Sequence, residues 1–161
     1  MPNVEVAIMM GSKSDLPVME ESAKILKEFG VSCELKVLSA HRTPKETAAY
    51  AEKFRSNGGK VFICGAGVSA ALAGFVAAHT SLPVIGVPID SSPLNGMDAL
   101  LSTVQMPPGV PVGCVSIGKA GAKNAAFLAL RILGVADKTM AQKLDHYNEE
   151  QRKAALNTDL N

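Results

Sequence analysis

The chain has 161 residues, 47% of them hydrophobic, enough for one domain with a full core and too few for two comfortable ones. Sixteen Lys and Arg balance fifteen Asp and Glu at a net charge of +1. With no basic tract, neither nucleic acid nor an anionic membrane has an electrostatic foothold, so function is expected in a local site of a single domain over 1–161.

Residues 4–10 read as a buried strand and 11–15 as a loop. Leu16, Met19, Ala23 and Leu26 then recur at helical spacing over 16–29, with Gly30 as a stop signal. The unit repeats as a strand over 33–38, a helix over 44–57 stopped at Gly58-Gly59, a strand over 61–64, a loop over 65–69 and a helix over 70–79. Further on come a strand at 84–88, a helix at 97–104, a strand at 112–117 and a helix at 120–133 ending at Gly134. The amphipathic, highly charged 137–156 closes the chain as a helix. Such alternation means a parallel sheet, and five strands with flanking helices imply an α/β, flavodoxin-like three-layer αβα sandwich with its site at the carboxyl ends of the strands.

Between Val61 and Gly118 the only Asp, Glu, Lys or Arg residues are Asp90 and Asp98. Gly65, Gly67, Gly74, Pro83, Gly86 and Pro88 interrupt the apolar run, which favours buried strands and a helix over a membrane span. Cys33, Cys64 and Cys114 are odd in number and far apart in apolar runs, as expected of buried free thiols in a reducing compartment; no metal spacing is present. No basic segment leads into a long apolar run at the start, so a cytoplasmic location is expected. The helix at 70–79 has no polar face, which points to burial by another subunit and hence a homo-oligomer.

Chemistry concentrates in Ser39-Ala40-His41-Arg42-Thr43-Pro44, which follows the second strand and opens a helix. Thr43 is positioned to cap that helix, with Pro44 first in it and Glu46 completing a capping box. His41 carries the side chain best suited to moving protons near neutral pH. Arg42, beside the N–H groups of a helix start, suits phosphate or carboxylate. Gly11-Ser12-Lys13-Ser14-Asp15 offers hydroxyls and backbone N–H groups to a phosphate and a carboxylate to ribose hydroxyls, although a serine-rich helix cap explains it equally well. Gly65-Ala66-Gly67-Val68-Ser69 forms the third loop at the same sheet edge, where glycine lets backbone approach a ligand. His79 reads as a helix cap and His146 as solvated. Lys119 and Lys123 read as solvated or inter-subunit residues, and Asp90 and Asp98 as loop caps.

Gly11 to Asp15 and Ser39 to Pro44, with Pro83-Val84-Ile85-Gly86-Val87-Pro88, Gln105-Met106-Pro107 and Ile117-Gly118-Lys119-Ala120-Gly121, resemble the N5-carboxyaminoimidazole ribonucleotide mutase family of purine biosynthesis. The likeness spans nearly the whole chain. It implies a homo-octamer whose substrate is an aminoimidazole ribonucleotide, with no cofactor and no metal. It implies that Ser12 and Asp15 bind phosphate and ribose, Arg42 binds phosphate and His41 is the general acid/base. Gly11, Ser14, Ser39, Ala66, Gly67 and Leu72 would line the pocket, and the 137–156 helix would pack on a neighbouring subunit.

One segment departs from that pattern. Where the mutase branch reads Gly-Ala-Gly-Gly-Ala-Ala-His-Leu-Pro-Gly, this chain has Ala71 for the histidine and Ala73 for the proline. Ser69, Ala71-Leu72 and Gly74-Phe75 resemble instead the related branch that carboxylates aminoimidazole ribonucleotide directly with CO2. Arg42 and residues 117–121 follow the mutase form. The mutase is the leading expectation, and the direct carboxylase is the alternative. A flavodoxin-like binding or electron-transfer module ranks last, because the chain has no Trp and only two Tyr for flavin stacking.

Overall fold

The computed structural model describes residues 3–157, so the ends of the expected 1–161 domain lie outside the described residues. β1 (Val6–Met10) is buried along its whole length, the signature of a central parallel strand covered on both faces. A 3-10 turn over Lys13–Asp15 leads into α1 (Leu16–Glu28), and Gly30 reverses the chain at φ 79°, a left-handed conformation that glycine adopts without steric cost. There follow β2 (Cys33–Val37), α2 (Pro44–Phe54), β3 (Val61–Gly67), α3 (Leu72–Ala78), β4 (Val84–Ile89), α4 (Met97–Val104), the short β5 (Gly113–Cys114), α5 (Gly118–Gly134) and α6 (Lys138–Leu156).

The five strands are all parallel in the order β2-β1-β3-β4-β5. This is the flavodoxin-like order, which reverses direction of winding between β1 and β3 and opens a crevice there at the carboxyl edge. Ala7 and Met9 of β1 and Phe62 and Cys64 of β3 face a cluster with Ala51 and Phe54 of α2 and Leu72, Ala73 and Val76 of α3. Each fully buried large side chain in such a cluster contributes roughly 1.5–3 kcal/mol. On the opposite face Gly65 lies against the Met19 thioether of α1, and the buried Ser22 hydroxyl of α1 donates to the Ala122 carbonyl of α5 at 2.6 Å.

The described residues up to Ala129 make one compact unit, and those from Leu130 a second. In the second, Asp137 caps α6 by accepting from the Thr139 and Met140 N–H groups, and Gly134 lies against Ala141 and Leu144.

Several expectations need correction. Gly65-Ala66-Gly67 is the end of β3, not a loop, because Ala66 and Gly67 pair in register with Pro88 and Ile89 of β4. The strand expected over 112–117 contracts to Gly113–Cys114. All three cysteines are free, but only Cys64 is buried; Cys33 and Cys114 are half-buried. The capping box at Thr43 and Glu46 does not form, because the Thr43 hydroxyl is engaged with Ser39 instead. No described helix is long and apolar enough to cross a membrane.

Candidate functional site

The carboxyl ends of β1, β2 and β3 converge on a cavity of about 340 Å³. The segment after β1 contributes Gly11, Ser12, Ser14 and Asp15. The segment after β2 contributes Ser39, His41 and Arg42, and β3 and the start of α3 contribute Ala66, Gly67 and Leu72. All ten residues singled out from the sequence therefore line one space. A somewhat larger cavity, bordered by Val4, Glu34, Tyr50 and Phe54, holds none of them.

Ser12 is the N-cap of the 3-10 turn: its hydroxyl oxygen accepts from the Ser14 N–H at 3.3 Å and from the Ser14 hydroxyl at 3.0 Å. This tight turn presents Asp15 to the cavity while leaving the residue only 7% exposed. Burial pushes the Asp15 carboxyl above its ordinary value, opposed by a hydrogen bond from the Ser12 backbone and by the nearby Arg42 charge. A carboxylate short of water in this way accepts readily from ligand hydroxyls. Gly11 has no protein atom within 4 Å of where a Cβ would stand, so packing does not demand its smallness.

The second loop is held from within. The Ser39 N–H donates to the Thr43 hydroxyl at 2.9 Å, and that hydroxyl and the Thr43 N–H both donate to the Ser39 carbonyl, at 3.1 and 2.9 Å. The buried Thr47 hydroxyl donates to the Thr43 carbonyl at 2.7 Å. Ala40, His41 and Arg42 thus sit on a closed loop whose ends are fixed to α2. Arg42 spans to the first loop, its guanidinium donating to the Gly11 carbonyl and its N–H to the Ser39 hydroxyl at 3.2 Å. His41 and Arg42 are exposed in the single chain.

Five further residues line the cavity: Ala40, Val68, Ser69 and Ala71 lie in segments the sequence pointed to without singling them out as ligand contacts, and Ser91 lies in none of them. Ser91 brings in the segment after β4. Its hydroxyl occupies the space where a Cβ on Gly67 would project, which explains a glycine at that position. Two polar residues beyond a strand carry no distinguishing signal, so Ser91 was not to be found from the sequence.

Three of the other candidates have structural partners. The His79 ring lies 3.3 Å from Glu52, and its N–H closes α3 on Val76. Lys123 pairs with Glu21 at 3.6 Å, and Asp98 accepts from the Ser92 hydroxyl at 2.9 Å. Among the described residues no group of three or more His, Cys, Asp or Glu is gathered as a metal ion would need.

An open parallel sheet with polar loops gathered at its switch point defines a flavodoxin-like protein with a cavity of small-molecule size at the carboxyl edge. The family model for AIR carboxylase matches residues 5–154, and the chain belongs to that family. It is 54% identical over 156 residues to the N5-carboxyaminoimidazole ribonucleotide mutase of Saccharolobus solfataricus, covering 97% of this chain and 98% of the relative. It is also 54% identical to the mutase of Bacillus subtilis, covering 94% and 93%. Among solved structures, Treponema denticola PurE superposes with a TM-score of 0.85 at 33% identity, covering 94% of this chain and 93% of that one.

Proposed function

We propose that this chain is an N5-carboxyaminoimidazole ribonucleotide mutase, converting its substrate to 4-carboxyaminoimidazole ribonucleotide in purine biosynthesis. The observation that carries the reading is the convergence of His41, Arg42, Asp15 and the serine turn on one cavity at the switch point. Membership of the AIR carboxylase family and the names of the close relatives support it.

In this reading the 5′-phosphate is held by Arg42 and the Ser12-Ser14 turn, and the ribose hydroxyls donate to Asp15. The base then extends toward His41. The protonated imidazole gives its proton to the carbamate nitrogen as the N–C bond breaks, releasing CO2 and a neutral aminoimidazole. C4 attacks the carbon of that CO2, forming the new C–C bond, and His41 takes the C4 proton. One imidazole serves both transfers and ends as it began. CO2 held beside C4 reacts at a very high effective concentration, which makes retention in the cavity the principal source of rate.

The exposure of His41 and Arg42 in one chain leaves the cavity needing further walls, which supports a homo-oligomer, read as an octamer. Leu94, Met97, Leu101 and Val104 follow one another at helical spacing and are all exposed, a second apolar surface for a neighbouring copy to cover. The α6 helix is assigned to the same role, and the mass of the native protein by light scattering tests the assembly.

The second reading is the direct carboxylase, favoured by Ala71 lining the cavity where the mutase pattern has histidine. Initial rates are to be compared with N5-carboxyaminoimidazole ribonucleotide and, separately, with aminoimidazole ribonucleotide plus CO2. Faster formation of the 4-carboxy product from the free nucleotide would replace the mutase reading with the carboxylase.

A further inference from the structure

Val68 sits immediately after β3, lines the cavity, and has φ 55°. Among the described residues only two other than glycine have positive φ, and the second is Asn95, a residue type whose short polar side chain tolerates that region. A β-branched side chain does not, because its γ-carbons crowd the backbone there. The residue is also 53% exposed, so core burial does not offset the strain. Glycine would make this turn freely, and a polar residue would suit the exposure better. Strain, exposure and apolarity at one cavity-lining position mark a side chain kept for what it does in the site.

Resting on the mutase reading, we infer that the Val68 isopropyl group is a specificity-determining apolar wall of the cavity that keeps released CO2 beside the aminoimidazole. CO2 is uncharged and apolar, and the side chains of Val68, Ala40, Ala66, Ala71 and Leu72, all among the cavity's lining, offer it contact surface and carry no hydrogen-bonding group for water. Val68 takes no part in proton transfer. It governs partition of the intermediate between C–C bond formation and escape as free aminoimidazole ribonucleotide and CO2.

The test uses the native protein and N5-carboxyaminoimidazole ribonucleotide, and measures free aminoimidazole ribonucleotide against 4-carboxy product, corrected for spontaneous decay without enzyme. Val68→Gly relieves the strain and is expected to unfold no lower than wild type, yet to release on the order of 10-fold more free nucleotide per product, from the loss of three apolar carbons. Val68→Thr keeps shape and strain but not apolarity and is expected to leak similarly, whereas Val68→Ile partitions as wild type. Wild-type partition in both Val68→Gly and Val68→Thr overturns the inference. So does a leak that accompanies a loss of oligomer mass, which would make Val68 a subunit contact. If the wild type fails with the carbamate and works from free CO2, the mutase reading has failed on its own. Val68 is then judged by whether Val68→Gly and Val68→Thr raise the CO2 concentration needed for half-maximal rate, an unchanged value again overturning it.

Discussion

The Arg42 guanidinium donates to the carbonyl oxygen of Gly11, fastening the loop after β2 to the loop after β1. The charge that would meet the substrate phosphate is thereby held in place by backbone, and its remaining N–H groups keep the fork geometry that suits a phosphate. Arg42→Lys preserves the charge and loses the fork. The expected outcome is a rise in KM of about 10- to 100-fold, the scale of one or two charged hydrogen bonds, with a much smaller change in kcat. An unchanged KM would remove Arg42 from the phosphate site.

His41 is exposed and makes no contribution to the core, so His41→Asn is expected to leave the unfolding midpoint unchanged. Nucleotide affinity, measured by calorimetry with the 4-carboxy product, should persist. Turnover should fall by at least about 100-fold, the usual scale for losing a general acid/base. Retained turnover would mean that another group moves both protons.

Thr43 shows why the site was legible in outline and not in detail. Its hydroxyl could bond forward into α2 or back to Ser39, and the residues 43–46 look the same in either case; the backward bonds close the loop under His41. Thr43→Val, similar in shape, is expected to lower kcat about 10-fold or more through misplacement of His41, while Thr43→Ser restores it. A loss in Thr43→Ser with Thr43→Val still active would point to packing of the methyl group instead.

The same limit explains the other misses. β1 and α4 were legible because an unbroken apolar run and a 3.6-residue period each have one simple reading, and α4 begins and ends where expected. Gly65 and Gly67 resemble loop residues because glycine has no side chain to show a pattern. Their reasons are tertiary: the Met19 thioether occupies the space beside one and the Ser91 hydroxyl the space beside the other. Val68 carries no sequence mark of its left-handed backbone, since valine is among the last residues expected there.

Asp15 links stability to pH with a definite sign. Its folded-state pKa is raised above the ordinary 3.8, so the native state holds the proton more tightly than the unfolded chain. Stability therefore falls as pH rises from about 3.8 through the raised value, and the cost is fully present above that value. Asp15→Asn removes that cost. Its midpoint at pH 7 is expected to equal or exceed that of wild type, with the difference vanishing at pH values below 3.8, where both side chains are neutral. Ribonucleotide affinity should fall sharply in the same variant, as expected where a site residue is retained against stability. A variant less stable at pH 7 would show that the Ser12 and Arg42 interactions outweigh desolvation.

Gly67 and Ser91 provide a test of how closely β3 and the segment after β4 are fitted at the cavity. A methyl group at 67 would stand where the Ser91 hydroxyl lies, and the Ile89 carbonyl is also within 3.2 Å of that position. Gly67→Ala must therefore push Ser91 aside, with an expected destabilisation of about 1–3 kcal/mol and a fall in kcat/KM. Removing the obstructing side chain by Ser91→Gly should be mild by itself. In the double variant it should recover part of the loss, giving a coupling of about 0.5–3 kcal/mol in a double-mutant cycle read by chemical denaturation. Strictly additive effects would show that the Ile89 carbonyl, and not Ser91, is what excludes a side chain at position 67.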